Sequence, residues 1–232
     1  MSKDFYIYGK NSVRDAIDNN RVIKIYTIYN KEYHHYNIPI VITNKTKLDS
    51  LVNTNKHQGI VALIKPYETI SLKELIKIDK HYPLLVILDG INDPHNLGAI
   101  LRVVGAIDAD GIIYKKHNAI GLNSTVAKVS SGAIEHVKVC EVINISNTIK
   151  ELKDNGYWIV GSVVDTDVSF TSIDYKVPIA LVIGSEGDGI SPLVKRNCDH
   201  LVKIPMLGKV QSLNASVACG ILLYQIYLNR SK

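Results

Sequence analysis

Residues 84–102 read LLVILDGINDPHNLGAILR. The first six, Leu84–Asp89, are a continuous apolar run closed by a carboxylate, the pattern of a strand buried on both faces. A polar turn with a glycine follows, Gly90-Ile91-Asn92-Asp93-Pro94, and apolar residues at helical spacing then predict a helix over about Leu97–Ile107. Strand, tight polar loop and helix make one step of a parallel α/β sheet. The step recurs downstream. Further strands are predicted at Gly111–Tyr114, Trp158–Val163 and Ala180–Gly184 and near Leu201–Ile204, with helices at Ile145–Asp154, Pro192–Asn197 and Ser212–Leu228. Residues 83–232 are therefore expected to form a parallel sheet with helices on both faces.

Upstream, residues 1–70 read as a small separate α/β unit. A helix is predicted from Gly9 to about Asn19 and another at Lys45–Val52, with strands at Val22–Tyr29, Ile38–Thr43 and Ile60–Ile64. The joint falls between Pro66 and Pro83, with residues 71–82 as a linker in which Ser71 caps a short helix through about Ile78.

The chain has 232 residues, 46% hydrophobic and 21% charged, which excludes wholesale disorder. Its longest apolar runs reach about five residues, whereas a membrane-spanning helix needs about 20. The opening Met-Ser-Lys-Asp-Phe-Tyr carries no secretory pattern. Cys140, Cys198 and Cys219 are odd in number and far apart, which argues against a disulfide framework and suits a reducing, cytoplasmic setting. His34, His35 and His57 have no second ligand pair at metal-binding spacing, so no metal is expected and an RNA contact or plain surface is the reading for them.

Net charge is +5, and its placement is uneven. Residues 1–80 carry 13 Lys and Arg against 8 Asp and Glu, while residues 81–232 carry 14 against 14. A basic N-terminal unit beside a neutral body fits a reader of polyanions, and a solvated lysine-rich surface would give the same count.

In an open parallel sheet, ligands bind beyond the carboxyl ends of the strands. Three such ends carry dense polar and glycine signals. They are Asp89 to Gly98, running on to Arg102; Gly184-Ser185-Glu186-Gly187-Asp188-Gly189; and Ile204-Pro205-Met206 followed by Ser212-Leu213-Asn214. The second loop lacks GxGxxG spacing and falls late in the chain, which argues against a dinucleotide-binding dehydrogenase.

Taken together, these blocks resemble the three motifs of the SpoU (TrmH-like) family of RNA 2′-O-ribose methyltransferases, within the SPOUT superfamily. Asn96 to Arg102 is similar to the first motif and Gly184-x-Glu186-x-x-Gly189 to the second. Ile204-Pro205-Met206 with Ser212-Leu213-Asn214-x-Ser216-x-Ala218 is similar to the third. Tyr8-Gly9-Lys10-Asn11-Ser12-Val13, His57-Gln58-Gly59-Ile60 and Lys128-Val129-Ser130-Ser131-Gly132-Ala133 resemble the RlmB-type subgroup, which methylates a guanosine of large-subunit (23S) ribosomal RNA. Two places depart from the pattern: Lys116-His117-Asn118-Ala119 stands where relatives carry an Arg-Ser-Ala-like segment, and Gln211 precedes Ser212 where relatives more often have Ser or Glu.

The resemblance implies a trefoil-knotted catalytic domain, a ribosomal-protein-like N-terminal domain that binds RNA, S-adenosylmethionine as cofactor, and a homodimer with composite active sites. It implies catalytic roles for Arg102, Asn96, Glu186, Ser212 and Asn214. Arg102 would act as a base or, more easily for a guanidinium, as a fork donor to the target's phosphate. Asn96 would position Arg102 or the ribose, or cap its helix. Glu186 would hold Arg102 or loop amides, and Ser212 and Asn214 would open the last helix. Backbone groups around Gly184, Ile204, Met206 and Leu213 would hold the cofactor. Transfer RNA as the substrate, and a non-catalytic assembly factor on the same fold, are the alternatives.

Overall fold

Backbone pairing sorts ten strands into two sheets in the computed structural model, which describes residues 4–29, 32–116 and 121–231. Residues 117–120, which hold most of the departing segment, lie outside the described residues.

The first sheet has the order β1-β4-β2-β3, built from β1 (Phe5–Tyr8), β2 (Val22–Thr27), β3 (Ile40–Ile42) and β4 (Ile60–Ile64). Strand β4 pairs antiparallel with β1 and β2, and β2 pairs parallel with β3. Helices α1 (Lys10–Asp18) and α2 (Lys45–Val52) connect these strands. The second sheet has the order β10-β8-β9-β5-β6-β7 and is parallel throughout. It comprises β5 (Leu84–Asp89), β6 (Gly111–Lys115), β7 (Val139–Val142), β8 (Trp158–Ser162), β9 (Ile179–Gly184) and β10 (His200–Val202).

Alternation along β5 shows why this run stays a central strand. Leu84, Val86 and Leu88 face one layer, formed by α4 (Pro94–Ala106), α5 (Ser124–Val129) and α8 (Ala215–Arg230). Leu85 and Ile87 face the other, formed by α3 (Leu72–Ile76), α6 (Ile145–Asp154) and α7 (Pro192–Arg196). Both faces are covered by apolar side chains, so every residue of Leu84–Leu88 is buried.

Several boundaries differ from the expectations. Strands β1 and β7 and helix α5 carry no sequence signal strong enough to predict them: each has six residues or fewer, too few for a periodicity to emerge. Residues 71–82, expected as a linker with a Ser71-capped helix, carry that helix and pack on the second sheet. Ser71 and Glu74 form a capping box at the start of α3, Leu75 is fully buried in the second sheet's core, and Ile70 N–H donates to Val139 O at 2.8 Å. Helix α8 begins at Ala215, so Ser212 precedes it.

The first sheet also shares a core with the second. Val13, Ala16 and Ile17 of α1 join the cluster that contains Val126, Ala127 and Ile134. Beside it, Glu135 accepts the Tyr67 hydroxyl at 2.9 Å and lies 3.2 Å from the Arg21 guanidinium. Burial raises the Glu135 carboxyl above its ordinary range despite that cation. His57 is only 2% exposed, with Nε2 3.0 Å from Asp49 and Nδ1 accepting the Gly59 N–H, so its expected surface or RNA-contact role gives way to a structural one.

Candidate active site

Three loops leave the carboxyl ends of β5, β9 and β10 and converge. The first follows β5. Asp93 caps α4 by accepting His95 N–H at 2.9 Å, with Pro94 in the first helical turn. Asn96 therefore does not cap the helix. Its side chain, on a residue only 6% exposed, is free to reach across to the second loop.

That second loop follows β9 and folds back on itself. Ser185 and Gly189 exchange backbone hydrogen bonds at 3.0 and 3.1 Å, and Asp89 of β5 accepts Ser191 N–H at 2.7 Å. The fold-back passes directly over Gly184. A Cβ there would sit 2.1 Å from the Gly189 carbonyl carbon and 2.3 Å from Ile190 N, so only glycine fits. The third loop runs from β10 to α8, where Asn214 caps the helix by accepting Ser216 N–H at 3.0 Å.

One carboxylate ties the three together. Glu186 Oε1 accepts Asn96 Nδ2 at 3.0 Å and also accepts the Asn214 amide, while Asn214 Nδ2 donates to Asn96 Oδ1 at 2.9 Å. Among the described residues, only Oε1 of Glu186 is engaged, which leaves its second oxygen able to accept from a ligand.

Glu186 also lines a cavity of about 480 Å³ at the ends of β8, β9 and β10. Its walls include the four residues expected around a cofactor, Gly184, Ile204, Met206 and Leu213, together with Ser212. Asn96 and Asn214 support Glu186 from behind. Arg102 stands apart: it is exposed on α4, lines no part of the cavity, and among the described residues forms no side-chain hydrogen bond or ion pair. At 100° per residue, six positions carry it well off the Asn96 face of the helix. Its expected contact with Asn96 or Glu186 is therefore absent within a single chain.

Two cavity residues escape sequence reading. Asp165 follows β8 and Lys195 lies on α7, and their side chains meet at 2.5 Å across the cavity wall. Thirty positions separate them, so no motif spacing marks the pair. Groups of three or more His, Cys, Asp or Glu arranged to hold a metal are absent among the described residues. No helix among them is long and apolar enough to cross a membrane.

Comparison with known proteins adds independent findings. Residues 83–224 match the SpoU rRNA Methylase family, and residues 6–70 match the family of RNA 2′-O ribose methyltransferase substrate-binding domains. A putative TrmH family tRNA/rRNA methyltransferase of Bacillus subtilis, YacO, is 42% identical over 242 residues, covering 97% of this chain and 96% of that protein. A putative TrmH family tRNA/rRNA methyltransferase of Staphylococcus haemolyticus is also 42% identical, covering 98% and 97%. Among solved structures, the SpoU methyltransferase AviRb from Streptomyces viridochromogenes, in complex with AdoMet, shares the fold with a TM-score of 0.85 at 23% identity, covering 99% of this chain and 91% of that one. The A. aeolicus TrmH/SpoU tRNA modifying enzyme has a TM-score of 0.60 at 31% identity, covering 69% and 81%.

Proposed function

Because this chain belongs to the SpoU rRNA Methylase family, we propose that it is an S-adenosylmethionine-dependent RNA 2′-O-ribose methyltransferase whose target is a guanosine of large-subunit ribosomal RNA. The observation that carries this reading is the position of Glu186, held by amides from two other loops while facing a cavity of cofactor size.

The residues present fit the cofactor. Gly184 lets the 185–189 loop close over its own backbone at the cavity edge, and Ile183, Ile204, Leu213 and Ala218 supply apolar walls for a flat ring. Bound there, S-adenosylmethionine supplies an electrophilic methyl group on a sulfonium. The chain must then orient the ribose hydroxyl in line and accept its hydrogen bond as it loses its proton. Glu186 has the free acceptor for that hydroxyl, and Asn96 and Asn214 fix its position. Ser212 adds a hydroxyl at the cavity rim.

Arg102 serves as a fork donor to the phosphate of the target nucleotide, in the active site of a second copy. Two features support the homodimer. Helices α4 and α8 pack side by side, and α8 leaves Val217, Tyr224 and Leu228 about half exposed, while α4 leaves Arg102 exposed. A second copy covering this face would bring Arg102 to the partner's loops. The sheet order and the convergence of 184–190 with 204–214 on one cavity support a trefoil knot.

Residues 1–70 act as the RNA-binding domain and residues 83–232 as the methyltransferase domain, joined at 71–82. The basic excess of the first segment supports that division. Three unpaired thiols support a cytoplasmic location.

The test is methyl transfer from labelled S-adenosylmethionine to deproteinised large-subunit RNA and, separately, to bulk transfer RNA, with the modified nucleoside identified by mass spectrometry. The proposal expects 2′-O-methylguanosine from the large-subunit RNA. Label on transfer RNA alone would overturn the substrate assignment. Absence of both label and cofactor binding would favour a non-catalytic assembly factor.

A further inference from the structure

The Lys195–Asp165 ion pair has no structural explanation. Asp165 is 66% exposed at its side chain and Lys195 31%, and surface pairs of this kind contribute little to stability. Other exposed pairs, such as Lys203–Asp167 and Lys153–Asp199, lie off the cavity wall. Lys195–Asp165 lies in it, joining the turn after β8 to α7. The hydrogen bond from Lys195 also holds the Asp165 carboxyl below its usual range.

Charge around the cavity makes this position distinctive. Three carboxylates line it, Asp165, Glu186 and Asp188, but Lys195 is the one cation among its described lining residues. A cofactor that carries a sulfonium, an ammonium and a carboxylate suits an acidic cavity at two of its charges and needs a cation for the third. Glu186 is engaged by Asn96, which follows β5 on one side of β9, and by Asn214, whereas Asp165 follows β8 on the other side of β9. The apolar wall of Ile183, Ile204, Leu213 and Ala218 offers nothing to a zwitterion.

From this arrangement we infer that Lys195 and Asp165 bind the amino-acid end of S-adenosylmethionine, Lys195 donating to its carboxylate and Asp165 accepting from its ammonium. The inference rests on the cofactor assigned above and extends it to two residues outside the family motifs. In the absence of ligand, each group satisfies the other. On binding, their ion pair is exchanged for two charge-assisted contacts with the complementary zwitterion, a swap that leaves no charge unpaired.

The test is calorimetric titration of the full chain with two probes. S-adenosylhomocysteine has the amino-acid end, and 5′-methylthioadenosine lacks it. Lys195→Met keeps an apolar stem, and Asp165→Asn keeps shape. Each variant is expected to weaken S-adenosylhomocysteine by about tenfold, the scale of one lost charge-assisted contact. Binding of 5′-methylthioadenosine should stay within about twofold of the original protein. Unchanged S-adenosylhomocysteine binding would overturn the inference by making the pair a surface contact only. A parallel loss of both probes would overturn it by placing the pair at the nucleoside or in the loop's fold. If the unsubstituted protein binds neither probe, the cofactor assignment itself fails.

Discussion

At the carboxyl ends of β5 and β9, polar side chains are engaged with one another: Asn96, Glu186 and Asn214 close a network, and Asp89 fixes Ser191. In the first sheet's unit, Arg14, Lys45, Lys47, Lys56 and Lys65 are instead exposed, spread over the surface of a small mixed sheet. A preorganised network costs no rearrangement when a reacting group arrives, which is what catalysis requires. Dispersed, solvated cations give affinity for a polyanion without fixing geometry. The contrast separates the two tasks of an RNA-modifying enzyme: holding a long polyanion, and placing one atom.

The sharpest way to break this comparison is at Gly184. Gly184→Ala would force the Gly189–Ile190 backbone away from the loop floor, and cofactor binding should be lost altogether. Gly187→Ala, three residues on, meets nothing within 4 Å and should bind as before. Equal effects from the two would show that the loop is not a rigid cradle.

Glu186→Gln tests the network next. It keeps an oxygen for Asn96 and Asn214 but removes the charge, and single-turnover methyl transfer should fall by about 10²–10⁴-fold with cofactor affinity unchanged. A loss confined to cofactor affinity would reassign Glu186 to binding.

Glu135→Ala probes how separate the two halves are. It removes the partner of Arg21 and Tyr67 at their junction and should cost about 2 kcal/mol, a fall in Tm of about 5 °C. Because one apolar cluster runs through both halves, calorimetry should still show a single transition. Two resolved transitions would make the halves independent folding units.

The smallest signal is thiol chemistry. Burial raises Cys140 to about 11 and both Cys198 and Cys219 to about 12, so all three remain protonated at neutral pH. All three belong to the parallel-sheet half. Native protein at pH 7.5 should therefore not react with a thiol-disulfide reagent over minutes, while denatured protein reacts at all three. Rapid labelling of the native form would show that this half opens.

The parallel sheet was legible because its central strands are continuous apolar runs, a pattern with few other interpretations. Four-residue strands such as Val139–Val142 offer no such run, and α5 is too short for its period to register. Site residues were legible as blocks but not as contacts. Asn96 could be read as a helix cap, yet Asp93 before Pro94 is the stronger start signal and takes that role. Asp165 and Lys195 become neighbours only when β8 and α7 are placed together, so local sequence cannot show the pair. Arg102 is the reverse case: its motif is plain, but among the described residues of one chain its side chain forms no hydrogen bond or ion pair.

The most direct test of the account is therefore Arg102→Ala, assayed three ways: cofactor binding, RNA binding, and transfer of labelled methyl to ribose in large-subunit RNA. Both binding steps should persist while transfer to ribose falls by at least about 10²-fold. Transfer at the original rate would contradict it, removing Arg102 from the chemistry and with it the composite site.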